Sequence, residues 1–280
     1  MATSKAKRLL FISIISLVCF SVFFGCASTK ETTSPSQPAV AEGSSTAAEP
    51  EVLRVGVSTN APPLIYRQNQ EIVGLEAELA QKLGEFLGKS VRFVELKWDD
   101  QIPALLENRT DIIMSGMSVT KMRQVRIAFS KPYLRTGQMA LIRKKDRSRF
   151  SQGYYSILAH AMFMRIGVVK GTTGETFVRQ NFERARRIVS FSTSRKAVED
   201  LGGGGLDMVV HDAPIILMLA AENEAKGLTP LPSLMTEEYL AWGIRKNDVG
   251  LLESANGFVE TIKSDGSLQS IAKRWIPLMN

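Results

Sequence analysis

The segment Asp111-Ile-Ile-Met-Ser-Gly-Met-Ser-Val-Thr-Lys-Met-Arg123, running on to Phe129-Ser-Lys-Pro-Tyr133, carries the residue types of a small-anion pocket. Ile112, Ile113 and Met114 supply the apolar run of a buried strand. Ser115 and Gly116 let a ligand come close to the backbone, and Ser118 or Thr120 can cap a following helix. The free N–H groups at that helix start attract anions. Arg123 adds a planar fork that matches a carboxylate through two parallel hydrogen bonds. A capped surface helix with a solvated arginine would use the same residues, so the local pattern leaves both readings open.

Two further places could contribute chemistry. Thr172-x-x-Glu175 is a capping box that opens a helix, whose N-terminus favours negative charge; it fits a plain helix cap as well. Asp212 ends an apolar strand just before Ala213-Pro214, where it could cap the next helix. His160 and His211 are the only histidines, so no metal cluster or serine triad is supported, and no nucleotide loop appears. No cofactor or metal is expected.

The elements that must position these residues alternate between strand and helix. Strands are expected at 52–57, 91–96, 111–114, 138–143, 166–169, 188–191, 208–212 and 239–244. Helices are expected at 75–87, 101–108, 175–182, 194–201, 214–223, 251–263 and 268–275. In the first of these helices Leu75, Leu79, Leu83, Phe86 and Leu87 share one face, and Gly88 ends it. Alternation of this kind predicts mainly parallel sheets covered by helices. No repeat of solenoid length is visible, Gly202–Gly205 reads as a plain turn, and residues 146–165 give no clear pattern.

Bulk properties narrow the classes. The 280-residue chain suits one large domain or two small ones, and 44% hydrophobic with 22% charged residues is ordinary for a globular protein. Its net charge of +7 falls to +4 once Lys5, Lys7 and Arg8 are set aside. So small a surplus, without an aromatic-basic stripe, excludes nucleic acid as an expected partner. Residues 1–25 read as an export signal, a basic start followed by the uncharged run Leu9 to Phe24. Phe23-Phe24-Gly25-Cys26 resembles a bacterial lipobox with Cys26 as the lipidated residue, although large Phe23 and Phe24 depart from that pattern. Gly25-Cys26-Ala27 could serve ordinary secretion instead. Cys19 lies inside the apolar run, so no cysteine is left for a disulfide in the folded body. Residues 26–51, rich in Ser, Thr, Ala, Pro and Glu, read as a flexible tether.

Taken in order, Val73-Gly-Leu-Glu-Ala-Glu-Leu-Ala80, Trp98-Asp-Asp-Gln-Ile-Pro-Ala-Leu105, Asp111–Arg123, Gly171-Thr-Thr-Gly-Glu175, Asp207-Met-Val-Val-His-Asp-Ala-Pro214 and Lys263-Ser-Asp-Gly-Ser-Leu-Gln-Ser-Ile-Ala-Lys-Arg-Trp275 resemble the solute-binding proteins of bacterial polar amino acid ABC transporters. The likeness runs from about Val52 to Met279. It implies an α/β, two-lobed periplasmic binding protein-like fold of type II. Lobe 1 would be 52–132 plus 243–280, lobe 2 would be 138–237, and hinges would lie at 133–137 and 238–242. It also implies a small amino acid-like ligand in the cleft, delivery to a membrane permease, a monomer, and a lipid anchor at the periplasmic or cell-surface face of the membrane.

Residue by residue, the resemblance gives Arg123 the ligand carboxylate, with Gly116, Ser118, Thr172 and Thr173 around it. Asp212 takes the ligand ammonium, His211 sits beside it, and Trp98 forms an aromatic wall. Family members often carry Asp where Ser58 stands and an aromatic where Ala61 stands. Ser58 therefore disfavours a cationic ligand side chain, and Tyr66 is expected to replace part of the missing wall. The alternative is an enzyme resembling cyclohexadienyl dehydratase on the same scaffold, with Glu175 or Asp212 as its acid. A sensor or channel module would need an effector domain or a spanning helix, which a chain closing at Asn280 after its last helix is not expected to carry.

Overall fold

The computed structural model describes residues 51–150 and 153–277. The expected export signal, Cys26 and the tether up to residue 50 lie outside the described residues. Two five-stranded sheets form the two lobes. In the first, strands run in the order Ser90–Glu95, Val52–Val57, Ile112–Ile113, Gly243–Ile244, Ala128–Phe129. In the second the order is Arg187–Phe191, Arg165–Val169, Met208–Asp212, Gln138–Arg143, Leu228–Pro230.

Each sheet has a parallel three-stranded part and two antiparallel strands beyond it. The expectation of mainly parallel sheets therefore holds for one side of each sheet only. Antiparallel members arise where the chain enters a lobe from the other one, as Gln138–Arg143 and Gly243–Ile244 do. Central strands such as Met208–Asp212 are buried along their length, which is why they read as continuous apolar runs rather than alternating ones.

Helix Leu75–Leu87 matches its expected bounds. Leu75, Leu79 and Leu83 recur every fourth residue and are fully buried. Phe86, expected on that face, is half exposed and leans on Phe258 instead. The expected single strand 239–244 is two strands in two sheets. Glu238–Leu240 pairs antiparallel with Leu134–Thr136, forming the crossover ribbon between lobes, and Gly243–Ile244 enters the first sheet. Between them Trp242 turns fully inward and stacks on Tyr133 and Phe258, with ring centroids 5.5 and 5.8 Å away. Burying so large a ring offsets the break in pairing.

Helix Tyr154–His160 falls in the stretch that gave no pattern. Ile157 and Ala161 are buried, but Tyr155, Leu158, Met162 and Phe163 are exposed, so apolar residues on both faces erase the periodicity. The three-stranded meander Asn60–Ala61, Ile65–Gln68, Glu71–Val73 was also illegible, its strands being too short for an alternation to register.

The lobes repeat one ionic lock. Asp111 accepts from the backbone N–H and guanidinium of Arg54 on the neighbouring parallel strand, and from Arg245. Asp207 does the same for Arg165 and Arg143. Arg245 goes on to Asp248 and to the carbonyls of Leu105 and Thr110. Arg143 goes on to Asp146 and to the carbonyls of Leu201 and Leu206. Burial alone would raise the Asp111 and Asp207 carboxyls, but their arginine hydrogen bonds outweigh it and hold both below the usual range. The repeat also shows in the short segments that carry it, Arg54-Val-Gly-Val57 beside Arg165-Ile-Gly-Val168 and Asp111-Ile-Ile-Met114 beside Asp207-Met-Val-Val210.

At the crossover ribbon the backbones come so close that a Cβ on Gly137 would lie 2.0 Å from the Thr236 carbonyl oxygen. Gly137→Ala is therefore expected to destabilise the protein by about 1–3 kcal/mol, read as a lower urea midpoint at unchanged slope.

Candidate functional site

The parallel strands of both sheets end at one cavity, which holds about 540 Å³ of space free of protein atoms, part of it open to solvent. Sites at the carboxyl ends of parallel strands are general for open α/β sheets. Counted from the lock aspartates, positions correspond. Trp98 and Ser194 each stand thirteen residues before Asp111 and Asp207, at or just ahead of the helices Gln101–Leu106 and Ser194–Gly202. Ser115 and His211 each stand four residues after them, at the carboxyl ends of the strands Ile112–Ile113 and Met208–Asp212. All four line the cavity.

Arg123 sits on the short helix Lys121–Arg126, capped by Thr120, whose hydroxyl accepts from the Arg123 N–H. Its Nη1 donates to the Ser118 carbonyl at 2.8 Å, and Nη2 reaches the Gly171 carbonyl of the other lobe at 3.3 Å. The guanidinium lies over the Trp98 ring, 5.3 Å from its centroid, and Trp98 Nε1 donates to the same Gly171 carbonyl at 2.9 Å. Burial lowers the Arg123 pKa while Asp212 and Glu238 oppose the shift, and the group stays charged. Gly171 permits this crossing: its φ is +74°, and a Cβ there would lie 2.5 Å from Asp99 Oδ1. Nearby, Lys170 pairs with Asp99 at 3.1 Å.

Thr172 caps helix Thr173–Asn181, accepting from the Glu175 N–H at 3.3 Å and donating to the Val169 carbonyl at 2.7 Å. The cap reading is thus realised, and the helix start, with Thr173, still lines the cavity. Glu175 points away from it and accepts from Gly171 N–H, Ser190 and Arg179. Burial would raise its pKa, but those bonds lower it on balance.

Asp212 is 6% exposed and accepts from Gln138 Nε2, which also donates to Thr173 Oγ1 at 3.1 Å and Glu238 Oε1 at 2.9 Å. It starts helix Ala213–Glu222 without capping it through its side chain, so its carboxylate stays directed to the cavity. Burial first, and then the Glu238 charge, push its pKa to about 7 against the opposing effects of Gln138 and Arg123. His211 accepts the Asp212 N–H on Nδ1 at 2.7 Å, and burial lowers its pKa to about 4, so it is neutral with its proton on Nε2.

Gly116, expected to donate to the ligand carboxylate or line its place, has its N–H taken by Glu76 at 2.6 Å. Glu76 is fully buried and also accepts from Tyr133 OH at 2.6 Å and Trp242 Nε1 at 3.0 Å. One carboxylate thereby ties the first long helix, the cavity loop and both crossing segments together. Burial raises its pKa to about 7 despite these three donors. Gly116 has φ +67°, and a Cβ would meet Leu64 Cδ1 at 2.7 Å. It lines the cavity as a shape, not as a donor. The carbonyl of its neighbour Ser118 anchors Arg123, and Ser118 bridges to Leu240 of the crossover ribbon.

Of the residues singled out in the sequence, the structure brings Arg123, Asp212, Gly116, Ser118 and Thr172 to this cavity, together with Thr173, Trp98, His211 and Ser58. Tyr66 is not among them. Its ring stands edge-on to Trp275 at 6.4 Å, because alternation in strand Ile65–Gln68 buries Ile65 and turns Tyr66 to the other face. Sequence reasoning missed Gln138, Ser194 and Glu76. A glutamine opening strand Gln138–Arg143, ahead of the apolar Met139-Ala-Leu-Ile142, was the available signal for the first. Among the described residues, no three His, Cys, Asp or Glu side chains converge as a metal site, and no helix is long and apolar enough to cross a membrane.

Residues 53–278 match the family described as bacterial extracellular solute-binding proteins, family 3. The ABC transporter arginine-binding protein 1 of Escherichia coli (strain K12) is 28% identical over 232 residues, covering 81% of this chain and 91% of that protein. A solved ancestral arginine-binding protein bound to arginine is similar at TM-score 0.74 and 29% identity, over 80% of this chain and 97% of the other. A solved ancestral amino acid-binding protein, a precursor of cyclohexadienyl dehydratase, is similar at TM-score 0.72 and 30% identity, over 80% and 95%.

Raised carboxyl pKa values fix a sign. Glu76 and Asp212 hold their protons more tightly when folded, so their contribution is complete below about pH 4 and is lost as the pH rises through about 7. The ligand-free protein is therefore expected to lose stability between pH 5 and 8. Glu76→Gln, which cannot ionise, should shrink that loss by up to about 3 kcal/mol in urea unfolding at the two pH values.

Proposed function

The chain belongs to family 3 of the bacterial extracellular solute-binding proteins, and on that premise we propose that its cleft grips the zwitterionic head of an amino acid. Arg123 of one lobe and Asp212 of the other line a single cavity with opposite charges, and this observation carries the reading. Arg123, braced by the Ser118 carbonyl and the Trp98 face, takes the carboxylate together with the helix N-terminus at Thr172 and Thr173. Asp212 takes the ammonium, whose charge favours the ionised carboxylate that burial alone resists. Trp98 walls the ligand, and neutral His211 and Ser58 stand beside it without adding charge.

Lobe 1 is read as 52–132 plus 243–280 and lobe 2 as 138–237. The crossover ribbon of Leu134–Thr136 and Glu238–Leu240 is the hinge. Capture occurs in the periplasm, and the loaded form is delivered to the permease of an ABC transporter. Of the two acids the enzyme alternative would use, Glu175 is spent on Gly171, Ser190 and Arg179, which leaves Asp212 as the one that faces the cavity.

Calorimetric titration of the full-length protein with the common amino acids tests the reading. Arg123→Ala and Asp212→Ala should each weaken binding by about 3–5 kcal/mol, because each leaves a buried ligand charge unpaired. Wild-type affinity in both variants would remove the cleft assignment, and conversion of prephenate or arogenate by the same protein would favour the enzyme.

Lipidation at Cys26 is the finer part of the proposal, supported by Phe23-Phe24-Gly25-Cys26 and the polar tether after it. Cys26→Ala should move the protein from the membrane fraction to the soluble periplasmic fraction; an unchanged distribution counts against the anchor.

A further inference from the structure

Resting on the amino acid reading above, the chemistry of the ligand's side chain can also be addressed. Once Arg123 and Asp212 are engaged by the ligand's head, the described residues lining the cavity offer no further charged side chain. His211 is neutral. An anionic ligand side chain would find no second cation, and a cationic one no second carboxylate.

Several polar groups of the cavity are already occupied. Ser58 Oγ donates to the Leu96 carbonyl and accepts from Gln101 Nε2, and Ser115 Oγ accepts the Ser58 N–H. Ser194 differs. It is 2% exposed, lines the cavity, and its Oγ has no hydrogen-bond partner. A buried hydroxyl left unpaired is costly, so a ligand group that pairs with it gains that energy back. Ser194 is also the first residue of helix Ser194–Gly202; Thr193 takes the Lys196 and Ala197 N–H groups, which leaves the N–H groups of Ser194 and Arg195 at the helix start beside the hydroxyl. The Arg195 side chain turns away to Glu222. The donors favour an acceptor, and their partial positive charge disfavours a cation.

We propose that the side-chain subsite takes a neutral, hydrogen-bonding side chain of the carboxamide kind, and that Ser194 is its specificity-determining residue. Ser194 faces the cavity from the position that Trp98 occupies in the other lobe, so the two corresponding sites divide the work: an apolar wall on one side and a polar reader on the other. The Nε2–H of His211 is a second donor on the same lobe.

Calorimetry of the full-length protein with glutamine, norvaline, glutamate and arginine tests this. Glutamine should bind at least about tenfold more tightly than glutamate or arginine. Ser194→Ala should narrow the preference for glutamine over norvaline about tenfold, and Ser194→Thr, which keeps the hydroxyl, should narrow it less. Arginine or glutamate binding as tightly as glutamine overturns the inference while amino acid capture stands, and so does an unchanged glutamine-to-norvaline ratio in Ser194→Ala. Failure of every amino acid to bind overturns the zwitterion reading and this inference with it.

Discussion

Asp212 lies at the end of a fully buried strand, where its carboxylate exchanges water for one amide, that of Gln138, in the field of a second carboxylate, Glu238. The cation that acts on it, Arg123, belongs to the other lobe. Neither charge is satisfied within its own half of the molecule, and the arrangement is stable only because the surroundings hold both in place. Trp98, the Gly171 carbonyl, the Thr172 cap and the Ser118 carbonyl all act on that geometry. They orient Arg123 or shape its approach without neutralising it.

A second buried acid extends the same constraint to the frame. Glu76 collects N–H and O–H donors from Gly116, Tyr133 and Trp242, so the floor of the cavity and the two crossing segments answer to one group. Gly116 in turn packs on Leu64, which occupies the place a side chain on Gly116 would take. Gln138 plays the corresponding part in the second lobe, bridging Asp212 to Glu238 at the start of the crossover ribbon.

Long apolar periodicities were readable from the sequence. Helix Leu75–Leu87 and strands Val52–Val57, Gln138–Arg143 and Met208–Asp212 keep their expected bounds because each buries one consistent face or both. Strand 239–244 was misread because Trp242 continues the apolar run through a change of sheet, and hydrophobicity carries no mark of which sheet a residue joins. Tyr66 was misplaced by proximity in sequence, where the two-residue alternation of its strand decides its face. The charges of the cleft were legible as residue types, yet the partner of Gly116 was not, because the hydrogen bond to Glu76 spans 40 residues of chain. Ser194 gave no local signal at all; a serine at a helix start ordinarily reads as a cap, and here Thr193 caps.

The paired locks, Arg54–Asp111–Arg245 and Arg165–Asp207–Arg143, have a consequence for how such a cleft can change over generations. Each fixes its own sheet through local partners, so neither lock relies on the residues that meet the ligand. Mutation can therefore retune Ser194, whose hydroxyl holds no other group, while the scaffold on either side persists. Two halves built to one plan can drift apart in what they recognise while remaining alike in how they stand.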